Sequence, residues 1–495
     1  METKKNRFSQ ILEQVMNLGE IKNVTLAKAL QYDVSYISKW TSGRMLPAEK
    51  NKRNVLRRIS REIVQLSSKT GKENLYENYQ VWNDIELEET IFDNLEAEYN
   101  FVQDMQREYG SSVEPKTMFF AKLSPAQYIS KMHHPVLRRV SQLNITAEMD
   151  LLALTHEYRL QIIQGNIRRD VHVSYPDVHF SLMVDLTLDK IDDTYDPIFL
   201  LNMMSDMARI DFCLYKGVQA AGRLIFAVKD EFMISGMLMD SDRCMAVTVS
   251  SAAENCSPMY DSIRDLCTRE TLMYRSTTMQ KMIEKKSYVR AILSLNQKWI
   301  IGHLTEHFLP DDLFEELLAQ VKEQDNAVQE ERLRYFHILI KKTMETTPIS
   351  IILHSSALTN LAVDGELDFF DYSVHLTLEQ RKHCLQHVYE LCTKQKNLCV
   401  KMVHGCLVSD FQYAVTQCVF LSDTVCYARL HTENRINNLA VFNHPDMKTI
   451  FLRFFETMWS EKNKIVCTET DTIRSFIHDA IERIDILSYA EKTNE

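Results

Sequence analysis

The sequence predicts a multidomain protein of α plus α/β class, with a small all-α N-terminal domain, a helical connector and a large α/β region. Three observations carry this. Apolar residues recur at helical spacing through residues 8–66, strand-like and helix-like patterns alternate after residue 170, and only 11 Gly and 10 Pro punctuate 495 residues. With 45% hydrophobic and 25% charged residues, the chain can bury several cores, which excludes wholesale disorder and collagen-like structure. The scarcity of glycine also argues against enzymes whose phosphate loops need it.

The elements follow in order. Phe8, Ile11, Leu12, Val15 and Met16 make one helical stripe, closed by Gly19. A second short helix spans Leu26 to Leu30, and a third, N-capped by Asp33, centres on Ile37 and Trp40 and ends at Gly43 before Pro47. Val55, Ile59 and Ile63 mark a fourth, whose other faces carry Lys52, Arg53, Arg57, Arg58 and Arg61. Ser67 to Asn74 reads as a polar linker. The acidic stretch from Asn83 to Gly110, with Ile91, Leu95, Tyr99 and Val102 in a stripe, reads as a connecting or dimerising helix. Ser124-Pro125 opens a helix over 125–142, and another is expected over 146–165.

Strands are then expected at His172 to Ser174 and Val178 to Val184, a helix from Phe199 to Ala220, a hairpin from Leu224 to Met239 and a strand from Met245 to Val249. A similar series follows: Ile349 to Leu353, a helix Leu378 to Lys394, then strands Leu398 to Val403, Tyr413 to Leu421, Val425 to Leu430 and Leu439 to Phe442. The lag of about 185–190 residues fits either two copies of one unit or two α/β units that share only a coarse pattern. The resulting division is 1–66, an all-α N-terminal domain; 67–145, linker and connecting helices; 146–285, a first α/β unit; 286–346, a helical connector; and 347–490, a second α/β unit.

Charge separates these parts. Residues 1–69 hold 14 Lys and Arg against 6 Asp and Glu, whereas the remaining 426 residues hold 43 against 62. A basic start on an acidic body suits a protein whose first domain meets an anionic polymer, with nucleic acid leading the list. The opening METKKNRFSQ lacks a secretory apolar core, apolar runs are strand-sized, and 11 Cys fall at irregular spacing, so a cytoplasmic protein with reduced thiols and no membrane span is expected.

Leu26, Ala27, Leu30, Ile37 and Trp40 have the spacing of a helix-turn-helix core: Ala27 is small where two helices cross, and Leu30, Ile37 and Trp40 wedge them apart. With Gly43-Arg44-Met45-Leu46-Pro47 behind them, residues 8–66 resemble the Cro and phage-repressor (XRE-type) family of DNA-binding regulators, which have a lambda-repressor-like fold. Gln31 stands where that family has a turn glycine, and Thr41 where a Glu often follows the tryptophan. The resemblance implies that the third helix enters the major groove, with Val34, Ser35, Tyr36 and Lys39 reading bases and Asn23, Ser42, Arg44 and Lys50 meeting phosphates. The competing reading of this segment is a small helical cap with solvated cations.

The other signals are thinner. No phosphate-loop, dinucleotide-fold, serine-elbow, zinc-protease or C-x-x-C motif is present, so no catalytic residue, cofactor or metal is assigned. His383 and His387 have chelating spacing, but Leu378, Leu385, Val388 and Leu391 define the buried face and turn them to solvent. The aromatic helix from Phe451 to Trp459, after Leu439 to Phe442 and Asn443-His444-Pro445, is similar to the tail of phospholipase-D-like sensor domains; H-x-K-x-x-x-x-D is absent, so that fold's hydrolysis is not inferred. Met203, Met204, Met207, Met233, Met237, Met239 and Met245 fit core filling or an adaptable pocket. The expected function is a sequence-specific transcriptional regulator. It would bind double-stranded DNA as a homodimer, through a body that senses a small-molecule or peptide effector. The alternative is a multidomain interaction or defence protein using the helix-turn-helix as a DNA address.

Overall fold

The computed structural model describes residues 6–79, 83–109, 117–133, 142–159, 177–208, 210–324, 329–404, 417–430, 439–442, 444–460 and 466–494. The chain is mixed α/β and divides into two compact units: Met1–Thr146 with Gln164–His179 and Leu224–Ser262, and Ala147–Ile163 with Phe180–Arg223 and Ile263–Glu495.

The first unit opens with six helices: α1 (Arg7–Leu18), α2 (Asn23–Leu30), α3 (Val34–Thr41), α4 (Lys52–Leu66), α5 (Lys69–Tyr79) and α6 (Asp84–Tyr109). Their apolar faces form one core that runs from Phe8 to Val102. The stripe on α6 is therefore used inside its own chain: Ile91, Leu95, Tyr99 and Val102 are buried against the preceding helices. Arg7 closes the base of this core by donating through Nε and Nη2 to Glu98 at 2.6 and 2.7 Å. The segment read as a polar linker is helical from Lys69, because Gly71 lets α5 lie against the backbone of Gly19; a Cβ on Gly71 would sit 2.7 Å from the Gly19 carbonyl oxygen.

Beyond this the chain runs β1 (Thr117–Leu123), α7 (Pro125–His133), β2 (Gln142–Met149), β3 (Asp177–Val184), α8 (Tyr195–Asp206) and β4 (Asp211–Lys216). It continues with β5 (Arg223–Val228), β6 (Phe232–Asp240), β7 (Arg243–Ser250), α9 (Ala253–Arg269) and β8 (Thr271–Thr277). Next come α10 (Met279–Glu284), α11 (Ser287–Ile292), β9 (Gln297–Ile301), α12 (Asp311–Gln324), α13 (Glu330–Thr346), β10 (Ile349–His354), α14 (Ser355–Asp364), the hairpin β11 (Glu366–Phe369) and β12 (Tyr372–His375), α15 (Leu378–Lys394) and β13 (Leu398–Val403). The chain closes with β14 (Cys418–Leu421), β15 (Cys426–Arg429), β16 (Leu439–Phe442), α16 (Pro445–Trp459), β17 (Val466–Cys467) and α17 (Thr470–Asn494).

The strand order repeats. In the first unit β7-β6-β5-β2 lie side by side, and in the second β16-β15-β14-β9 do; within the second unit, β3-β4-β8 is matched by β10-β13-β17. Directions agree where both members are described: β6 with β7 and β15 with β16 are antiparallel, as are β4 with β8 and β13 with β17. Helix α9 follows β7 and helix α16 follows β16, at corresponding positions in the two sets. The parallel strands β9, β10 and β13 carry near-continuous apolar runs, as buried parallel strands do.

Two expectations are corrected. The helix expected over 146–165 gives way at its start to β2, whose Leu143, Ile145, Ala147 and Met149 alternate at the strand period and are buried; the chain is helical over 156–159, and 160–165 lie outside the described residues. The long helix from Phe199 stops at Asp206, and β4 follows with Phe212 and Leu214 buried in alternation. The aromatic helix α16 packs into the core, with Phe451, Phe454, Phe455 and Met458 all buried. Ser124 caps α7 as expected, and Gln127 completes a capping box that the sequence reading did not include: Gln127 N–H donates to Ser124 Oγ at 3.3 Å and Ser124 N–H to Gln127 Oε1 at 3.0 Å. The strand expected at His172 to Ser174 lies outside the described residues.

Candidate nucleic-acid interface

The α2–turn–α3 segment is built by backbone chemistry at three points. Gln31 takes the left-handed conformation (φ 60°, ψ 37°) and its N–H returns to the carbonyls of Ala27 and Lys28, a turn that costs a non-glycine residue about 1 kcal/mol. Asp33 then caps α3, accepting the Ser35 N–H at 2.9 Å, and this bonding to Ser35 holds its carboxyl below the usual range, with help from Lys39. Gly43 ends the segment at φ 75°; a Cβ there would meet Asn6 N at 2.9 Å, and Asn6 Nδ2 donates to the Gly43 carbonyl at 3.1 Å.

These constraints sort the side chains of α3. Ile37 and Trp40 are buried with Leu26, Ala27 and Leu30, while Val34, Ser35, Tyr36 and Lys39 face outward; Tyr36 is 44% exposed. Tyr36 is held from beneath by Tyr32, whose ring lies 5.9 Å from it and 5.2 Å from Trp40, and Lys39 Nζ sits 5.8 Å over the Tyr36 ring. Arg44 and Lys50 are exposed, whereas Asn23 and Ser42 are half-buried and the Ser42 hydroxyl donates to the Lys39 carbonyl at 3.2 Å. Lys22, Lys28, Lys39, Arg44 and Lys50 have no acidic partner in an ion pair among the described residues.

The cations of α4 are disposed differently. Arg58 donates through Nη2 to the carbonyl of Leu30 at 2.8 Å, so it satisfies the end of α2 and pins the turn. Lys52 donates to Asn100 Oδ1 at 2.7 Å. Arg53, Arg57 and Arg61 face the acids of α6, at 4.0 Å from Glu96, 3.8 Å from Glu89 and 3.4 Å from Glu88. Counted over residues 1–109, the helices carry 16 Lys and Arg against 17 Asp and Glu, so the basic excess of the first 69 residues is offset by α5 and α6. None of this could be read from the local pattern, because it depends on which helix α6 packs against.

A second polar cluster, without any sequence motif, lies inside the second unit. Arg429 on β15 donates to both oxygens of Glu306, through Nη1 at 2.8 Å, and lies 3.2 Å from Asp368. The Tyr288 hydroxyl also donates to Glu306, and His303 Nε2 is 3.4 Å from Asp368. Burial pushes Glu306 up, but Arg429 and His307 outweigh it and hold the carboxylate ionised, while burial pushes the His307 imidazole down to about 4. The cluster is largely buried and joins the segment after β9 to β11, β15 and α11 as a structural knot. His383 and His387 are not joined in a chelate: His383 is 3.5 Å from Asp312, and no group of three His, Cys, Asp or Glu suited to a metal is found among the described residues. Met203, Met204 and Met233 fill core, while Met237, Met239 and Met245 are exposed. No described helix is long and apolar enough to cross a membrane.

The chain was compared with protein-family models and with curated proteins; no family model matches it, and no curated protein matches it significantly.

Proposed function

We propose that the protein is a sequence-specific DNA-binding transcriptional regulator, with α2 and α3 acting as a helix-turn-helix and α3 as the helix that enters the major groove. The observation that carries this reading is the division of α3: a buried Ile37 and Trp40 behind an outward face of Val34, Ser35, Tyr36 and Lys39, flanked by Arg44 and Lys50 without ion-pair partners. Asn23 and Ser42 supply further polar contacts to the backbone, as in the family that residues 8–66 resemble. The working unit in this reading is a homodimer, because one such helix covers a single half-site. Its surface is better sought on the body, where edge strand β1 exposes Met118 and Phe119 and the neighbouring β7 and β6 expose Met245, Met237 and Met239. The doubled strand order supports a duplicated sensing body for a small-molecule or peptide effector, without catalysis. Mapping of occupied sites in the host genome tests the reading: a few sharp, two-fold symmetric sites are expected, and diffuse occupancy would favour an interaction or defence protein that uses DNA only as an address.

A further inference from the structure

The row Arg53, Arg57 and Arg61 recurs every fourth residue along α4, so the three side chains share one face, and α6 lays Glu96, Glu89 and Glu88 opposite them in antiparallel order. Arg57 also stacks over the Phe92 ring of α6 at 4.6 Å. Three arginines at this spacing would, alone, follow a phosphate backbone regardless of its sequence. With α6 in place each arginine has a carboxylate within 4.0 Å, well inside the ~8 Å over which physiological salt leaves charges to act. The cations around α3 have no such counterpart.

We propose that α6 acts as a built-in polyanion that masks the arginine row of α4, so that DNA is met by the α2–α3 face alone and sequence-independent binding is suppressed. This rests on the DNA-binding reading and assigns to α6 the regulation of that same domain. Such surface pairs add little stability, so their alignment along the whole row is better explained by what they keep away from the arginines than by what they contribute to folding.

The test uses the full-length protein and a short duplex of arbitrary sequence, with affinity followed by fluorescence anisotropy over a range of salt. Glu88→Gln, Glu89→Gln and Glu96→Gln combined should steepen the fall of log K with log salt by up to ~0.9 for each arginine released, and should raise low-salt affinity at least about tenfold. Glutamine keeps the helix propensity of α6, and retained far-UV helicity verifies the fold. Arg53→Gln, Arg57→Gln and Arg61→Gln combined should leave the wild-type slope unchanged and abolish the gain in the glutamine background. Asp93→Asn, an exposed acid on α6 without an ion pair among the described residues, should leave the slope unchanged. The masking role is overturned if the triple glutamate variant keeps the wild-type slope, if the arginine variant lowers it, or if Asp93→Asn steepens it equally. Wild-type binding with an unchanged triple variant refutes the mask alone; absence of binding by both refutes the DNA reading as well.

Discussion

The hydroxyl of Tyr99 donates to the carbonyl of Pro47 at 2.8 Å, a bond buried between the middle of α6 and the loop that follows α3. It makes α6 part of the domain that presents α3, although 52 residues separate the two groups. Tyr99→Phe leaves the buried Pro47 carbonyl without its donor and should cost about 1–2 kcal/mol, read as a lower urea midpoint at constant slope. For the same reason a fragment of residues 1–69, lacking Leu87, Ile91, Phe92, Leu95 and Tyr99 of the core, should show no cooperative unfolding transition.

Lys39 and Arg44 should differ in kind. Lys39→Ala is expected to reduce discrimination between the preferred site and random duplex by about 1–3 kcal/mol, whereas Arg44→Ala should weaken both alike. Competition titrations at fixed salt separate the two; equal losses on both duplexes for Lys39→Ala would reassign the reading face.

Arg429→Met should destabilise the second unit by about 3–5 kcal/mol, because Glu306 and Asp368 are left buried without their cation. Denaturant unfolding followed at Trp299, which lies in the same core, reads this directly.

Acid sensitivity should begin above the carboxylate range. Burial lowers His307 and His354 to about 4 in the folded chain, so below pH 6.5 the unfolded state takes up protons that the native state refuses. The stability these groups contribute is present above pH 6.5 and lost as pH falls through the folded value, at up to about 1.4 kcal/mol per pH unit for each histidine. Combined His307→Gln and His354→Gln should flatten the stability profile between pH 6.5 and 4, measured by urea unfolding.

Phe119→Glu on β1 should convert a full-length dimer to monomer in sedimentation velocity while leaving the helical core intact, since Phe119 is 67% exposed. An unchanged dimer would move the interface away from this edge.

Helices α1 to α4 and the outward face of α3 were legible because a 3.6-residue apolar period and the Asp33 and Gly43 caps are local signals. The β-hairpin of β5 and β6 and the strand β7 were legible from alternation. β2 also had that signal, in Leu143, Ile145, Ala147 and Met149, but its strand period was overrun by a helix placed from residue 146. α5 offered little, since its packing turns on the Gly71 approach to Gly19, and nothing in its own composition announces it. The charge argument needed tertiary structure most. The +8 of residues 1–69 is real, yet α6 returns acids to the face of α4 and pairs Arg53, Arg57 and Arg61, whereas Lys22, Lys28, Lys39, Arg44 and Lys50 stay clear of carboxylates in ion-pair range among the described residues. The Arg429 and Glu306 knot joins residues 123 apart and has no local pattern to read.

The measurement that tests the central claim most directly is selection of duplexes from a random library by the full-length protein and by Lys39→Ala. The account predicts that wild type enriches one motif, made of two symmetric half-sites about 10 base pairs apart or a multiple of that, and that Lys39→Ala loses preference at defined positions within each half-site. No enrichment by wild type, or an identical motif from Lys39→Ala, would contradict it.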